Sequence, residues 1–108
     1  MAFQGREVIL VPFPFRDRLA EKTRPAVVIS GAGYNQRGDL VIAAITSQPA
    51  NWPTDFELQD WQIVGSQLPS TVRMLLATVA EQRVVHVIGR LSDRDWAEIQ
   101  TRLQLVFA

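Results

Sequence analysis

Thr23-Arg24-Pro25-Ala26-Val27-Val28-Ile29-Ser30 reads as a buried β-strand with one charged residue at its entrance. A second apolar run, Leu40-Val41-Ile42-Ala43-Ala44-Ile45-Thr46-Ser47, ends in two hydroxyls. Between them lies Gly31-Ala32-Gly33-Tyr34-Asn35-Gln36-Arg37-Gly38, with three glycines, an Asn and no apolar run. That composition is turn chemistry. An antiparallel hairpin centred on Asn35 would set Ser30 opposite Leu40, Val28 opposite Ile42 and Ala26 opposite Ala44. The same register sets Arg24 opposite Thr46. Directly opposed residues point to one face of a sheet. The hairpin therefore brings a guanidinium beside a hydroxyl at its open end. Pro25 agrees, because it disfavours the helical region for Arg24 and is tolerated at the start of a strand.

Outward from this pair, Glu7 to Phe13 is β-branched and apolar, a first strand that ends near Pro12. Residues 14–22 form a charged loop between it and the central strand. Gln48 to Thr54 holds two prolines and Trp52 and reads as loop. Asp55 to Leu58 and Trp61 to Val64 are candidate short strands, and Leu68-Pro69-Ser70 a turn. Thr71 to Thr78 and Val84 to Ile88 read as further strands, with a tight turn or one helical turn over Val79 to Gln82. Ser92 opens the one convincing helix. Asp95 stands three residues after it, a variant of the capping box. Asp93, Asp95 and Glu98 suit the helix dipole, and Trp96, Ile99, Leu103 and Val106 form one apolar stripe. Six or seven short strands and a terminal helix predict a mainly β chain, a small, strongly bent antiparallel sheet or barrel with the helix packed on it.

The 108 residues, 47% of them hydrophobic, suit one domain with one core over residues 1–108. Without cysteine there is neither a disulfide framework nor a Cys-based metal site. No run approaches a membrane span and no signal-peptide core opens the chain, so a cytoplasmic protein is expected. Net charge is zero, which argues against strong nonspecific nucleic-acid binding, yet the charge is uneven. Residues 1–37 carry six bases against three acids, and residues 38–72 carry four acids and no base. Ten of the eleven basic residues are Arg, the side chain suited to planar contacts with phosphate or carboxylate.

Several stretches, in order, carry a resemblance. They are Gly5-Arg6-Glu7-Val8-Ile9-Leu10-Val11-Pro12-Phe13-Pro14-Phe15, Arg24-Pro25-Ala26-Val27-Val28-Ile29-Ser30 and Tyr34-Asn35. Ile45-Thr46-Ser47-Gln48, Ser70-x-Val72-Arg73 and Ile88-Gly89-Arg90-Leu91-Ser92-x-x-Asp95 complete them. Together they resemble the MazF/PemK-like toxins, over nearly the whole chain. The resemblance implies an SH3-like barrel, a homodimer, and a metal-independent endoribonuclease of a type II toxin–antitoxin system. Such a toxin cuts single-stranded RNA at short sequences, needs no cofactor, and is blocked by a flexible segment of its antitoxin. The family's catalytic Arg falls on Arg24, and its catalytic Thr or Ser on Thr46. This chain departs from the family at Gly5-Arg6-Glu7, where many members have Gly-Asp. It departs again at Met74-Leu75-Leu76, where charged residues are common.

RNA can be cut by its own 2′-OH, given in-line geometry and stabilised phosphoryl charge. The single histidine, His86, rules out a histidine pair within one subunit. Arg24 suits charge stabilisation and Thr46 a hydrogen bond to a non-bridging oxygen. Asp17, Glu21 or a water would serve as the base. Phe15, Lys22, Ser47, Gln48 and Arg73 are candidate substrate contacts. Each has a plainer reading: Phe15 as a hydrophobic anchor, Lys22 as a solvated charge, Ser47 and Gln48 as loop, Arg24 as an ion-pair partner of Glu21. Two other classes compete. One is a CcdB-like gyrase-binding toxin, against which the chain ends Val106-Phe107-Ala108 where those relatives carry Trp-Gly-Ile. The other is an inactive RNA-binding barrel.

Overall fold

Strand β1, Glu7–Phe13, packs β-branched residues at the density that suits a pleated sheet. Strands β2, Lys22–Val28, and β3, Asp39–Thr46, form the expected hairpin. Its ladder pairs Ala26 with Ala44, Val27 with Ala43 and Val28 with Ile42, the predicted register. Strand β4 is Phe56–Glu57, β5 is Thr71–Ala80 and β6 is His86–Arg90. In this computed structural model the described residues are 3–14, 22–65 and 67–108, without the side chains of 63 and 64. The strands form one antiparallel sheet in the order β4-β5-β3-β2-β1-β6. It is a curled half-barrel with a C-terminal helix, and no described helix is long and apolar enough to cross a membrane.

Period-2 alternation divides the apolar residues between two faces. Ile9, Val11, Ala26, Val28, Leu40, Ile42 and Ala44 form a buried cluster on one. Val8, Val27, Ala43, Ile45, Phe56 and Val72 form another, covered by the helix through Ile99, Trp96 and Leu103. Val106, expected on the same stripe, is 36% exposed.

Four elements differ from the sequence expectation. The hairpin loop holds one helical turn, α1, Ala32–Asn35. Asn35 is buried there and ties the loop down, its Nδ2 donating to the carbonyls of Phe3 at 2.9 Å and Ser30 at 3.1 Å. Trp61–Val64 is a 3-10 turn and not a strand. The preceding N–H groups of Gln59 and Asp60 are taken by the Asp95 carboxylate at 3.0 and 2.9 Å, so they have none to offer a ladder. β5 runs past Thr78 to Ala80, and a 3-10 turn over Glu81–Arg83 follows. β6 starts two residues later than read and continues through Gly89, with a register shift opposite Val8 and Ile9.

The second helix, α2, is Asp93–Val106. Ser92 caps it, its Oγ accepting the Asp95 N–H at 3.3 Å. Arg6 holds the start of β1 to this end of α2, Nε to the Leu91 carbonyl at 3.0 Å and Nη2 to Asp93 at 2.5 Å.

Candidate active site

Arg24 and Thr46 continue the alternation of the first face beyond Ala26 and Ala44, at the end of the two innermost strands. There an open cleft of about 900 Å³ is lined by Arg24, Thr46, Ser47, Gln48 and Arg73 together. The described lining contains no carboxylate and no imidazole. Among the described residues no carboxylate pairs with the Arg24 or Arg73 guanidinium. Two guanidiniums with no counter-charge among the described residues, in a shared cleft, make a site for an anion with several oxygens.

Thr46 is oriented locally. Its Oγ1 accepts the N–H of Gln48 at 3.2 Å. With the oxygen so engaged, the hydroxyl proton is the group left to donate. The same bond ties the backbone of Gln48, which also lines the cleft, to the end of β3.

Arg73 lies at an irregularity in β5. Ile45 pairs with Val72 and Ala43 with Leu76, so Arg73, Met74 and Leu75 together span the step that Ala44 spans alone. Such a bulge bends its strand. Alternation continues through it: Arg73 and Leu75 line the cleft, while Val72, Met74 and Leu76 pack on the opposite face.

Gly65, Gln67, Leu68 and Ser70 also line the cleft. Gly65 takes φ +74°, and a Cβ there would stand 3.1 Å from the Ile88 side chain. The chain then presents Gln67 and Leu68 to the cleft. Ser70 is fixed on both sides, its carbonyl accepting from the Leu58 N–H at 2.8 Å and its Oγ donating to the Leu68 carbonyl at 3.1 Å.

A model of the PemK-like, MazF-like toxins of type II toxin–antitoxin systems matches residues 4–107. The chain belongs to this family. Among solved structures it is similar to an endoribonuclease in complex with its cognate antitoxin from Mycobacterial species, at 16% identity and a TM-score of 0.79, covering 98% of this chain and 95% of that one. It is similar also to MazF from Deinococcus radiodurans, at 18% identity and a TM-score of 0.78, covering 99% and 97% of the two chains. The Mycobacterium tuberculosis toxin MazF-mt6 follows at 16% identity and a TM-score of 0.76, covering 94% and 96%. No curated protein matches the chain. At these identities the solved structures establish the shared fold.

In this PemK/MazF-like chain, five of the seven residues singled out from sequence meet in the cleft. Lys22 starts β2 on the face that Arg24 shares, but it is not part of the lining. Phe15, Asp17 and Glu21 lie outside the described residues. Sequence reasoning missed Gln67, Leu68 and Leu75. Leu68 was read as part of a turn and Leu75 as an ordinary strand residue. The three consecutive non-polar residues after Arg73 were the available signal for Leu75.

Proposed function

We propose that this protein is a sequence-specific endoribonuclease toxin that cuts single-stranded RNA, mRNA included, without a metal. It stops translation and growth until a cognate antitoxin neutralises it. It acts in the cytoplasm as a homodimer, for which exposed Val85, Leu105 and Phe107 offer apolar surface. The observation that carries the reading is the pair of arginines without a described counter-charge, set beside the Thr46 hydroxyl in one cleft.

The 2′-OH gives up its proton to Asp17, Glu21 or a water, and its oxygen bonds to the adjacent phosphorus. The P–O5′ bond breaks, and the leaving oxygen takes a proton to become a 5′-OH. The other product is a 2′,3′-cyclic phosphate. The Arg24 fork holds two phosphoryl oxygens as charge gathers on them. The Thr46 hydroxyl donates to a non-bridging oxygen. Arg73 holds a neighbouring phosphate, while Ser47 and Gln48 contact the strand beside it. Lys22 and Phe15 are assigned to the approach of the RNA.

The test is cleavage of a long, unstructured RNA by wild type and by Arg24→Ala, both in EDTA. Wild type is expected to cut at defined short sites, and Arg24→Ala to lose on the order of 10²–10³ in rate. Equal cutting by both would remove Arg24 from the mechanism. Activity that disappears in EDTA and returns with a divalent cation would overturn the metal-independent reading.

A further inference from the structure

The polar cleft contains an apolar feature that anion binding does not use. Leu75 lies within β5 yet is 43% exposed, while Val79 on the same strand is buried. Two residues along β5 from Arg73, it lies on the same face. Leu68 is 60% exposed. Both line the cavity that holds Arg24 and Thr46. An aliphatic pair facing open space inside a site that binds a charged backbone needs an occupant with an apolar face and a polar edge. A nucleobase has both, and its flat face packs on non-polar side chains while its edge accepts hydrogen bonds. Gln48 and Gln67 supply amide donors and acceptors in the same cleft.

We propose that Leu75 and Leu68 form a seat for one nucleobase of the bound RNA, next to the phosphate held by the arginines, with Gln67 reading its edge. This rests on the ribonuclease reading and extends it to specificity. The occupant belongs to the strand being cut, because the seat and the two guanidiniums share one continuous cavity. The seat selects the nucleotide beside the cleaved bond, while Arg24 and Thr46 act on the bond itself.

The experiment uses wild type, Leu75→Ala, Leu75→Gln and Leu68→Ala, with matched thermal melts. Each is titrated with a fluorescein-labelled single-stranded RNA and with an abasic oligomer of equal length and charge. Each is then mapped for cut sites on a long RNA. Wild type is expected to prefer the base-bearing strand, and Leu75→Ala to lose about tenfold of that preference with abasic binding unchanged. Its KM should rise with kcat nearly constant, and its cut sites should spread over more neighbouring nucleotides. If wild type cuts and Leu75→Ala keeps the same sites and KM, the seat is overturned and the ribonuclease reading stands. If wild type binds without cutting but the Leu75 variants lose base preference, the seat stands and the catalytic reading falls. Wild type that neither binds nor cuts overturns both.

Discussion

Arg94 grips Asp60 through two parallel hydrogen bonds, Nε to Oδ2 and Nη2 to Oδ1, both 2.7 Å long. Ser92 Oγ donates a third to Oδ2 at 2.6 Å. These bonds, that of Arg94 foremost, hold the Asp60 carboxyl at about 2 against an ordinary value of 3.8. The folded state therefore favours the ionised form. Its contribution to stability is complete above the unfolded value and is lost as pH falls through about 2. The melting-temperature gap between wild type and Asp60→Asn should be constant above roughly pH 5 and should close between about pH 4 and pH 2. Because the pair is partly exposed, salt should narrow the same gap. A gap unchanged by acid would show that the clasp does not couple to folding.

Asp95 should matter more than its place in a first helical turn suggests. It is 1% exposed and accepts the N–H groups of Gln59 and Asp60. Asp95→Ala strands both donors and should cost about 1–3 kcal/mol, read from urea unfolding. Asp95→Asn keeps one carbonyl acceptor and should cost less. Equal losses for the two variants would trace the effect to shape and not to the acceptor.

Arg6 is the one described non-glycine residue with positive φ, at +72°. Arg6→Ala loses the bonds to Leu91 and Asp93 and keeps the left-handed backbone. Arg6→Gly loses the same bonds but relaxes the backbone. The glycine variant should be the more stable of the two by about 1 kcal/mol in denaturant melts. Alanine equal to glycine would show that the turn carries no steric cost.

Gly65→Ala adds a methyl at φ +74° and 3.1 Å from Ile88. The backbone term alone is about 1–2 kcal/mol. The larger expectation concerns function, since the strain falls on the segment that carries Gln67 and Leu68 into the cleft. KM for RNA should rise more than kcat falls. A variant destabilised but unchanged in KM would separate the turn from the site.

Thr46→Val keeps the shape and removes the donor. It should lower kcat by about 10²–10³ with little change in KM, while Thr46→Ser stays close to wild type. Loss in KM alone would assign the hydroxyl to binding.

Centring the hairpin on Asn35 was enough to pair Ala26 with Ala44 and Val28 with Ile42, because in a hairpin the length of the loop fixes the register. Extended past the last ladder pair, Ala26 with Ala44, that register pointed to Arg24 and Thr46, which line one cleft. The bulge at Arg73 to Leu75 was not legible, since nothing local states how many residues of β5 answer one residue of β3. Asp95 was legible only as the acid of a helix cap, for a similar reason. Its burial depends on two N–H groups from a segment thirty-five residues away or more. Trp61 to Val64 has strand composition, and only that distant carboxylate turns its approach away from the sheet.

Strands β2 and β3 stand in the middle of the six-stranded order, each with a neighbour on both sides. Amides there should be among the slowest to exchange with solvent, because opening them requires the sheet to come apart. Arg24 and Thr46 lie just past the last ladder pair of those strands, so the cleft is anchored to the part of the chain that opens last. Gln67 and Leu68 stand outside the sheet and can shift while that anchor holds. Under the proposed function, sequence preference would then change through the walls with Arg24 and Thr46 left in place.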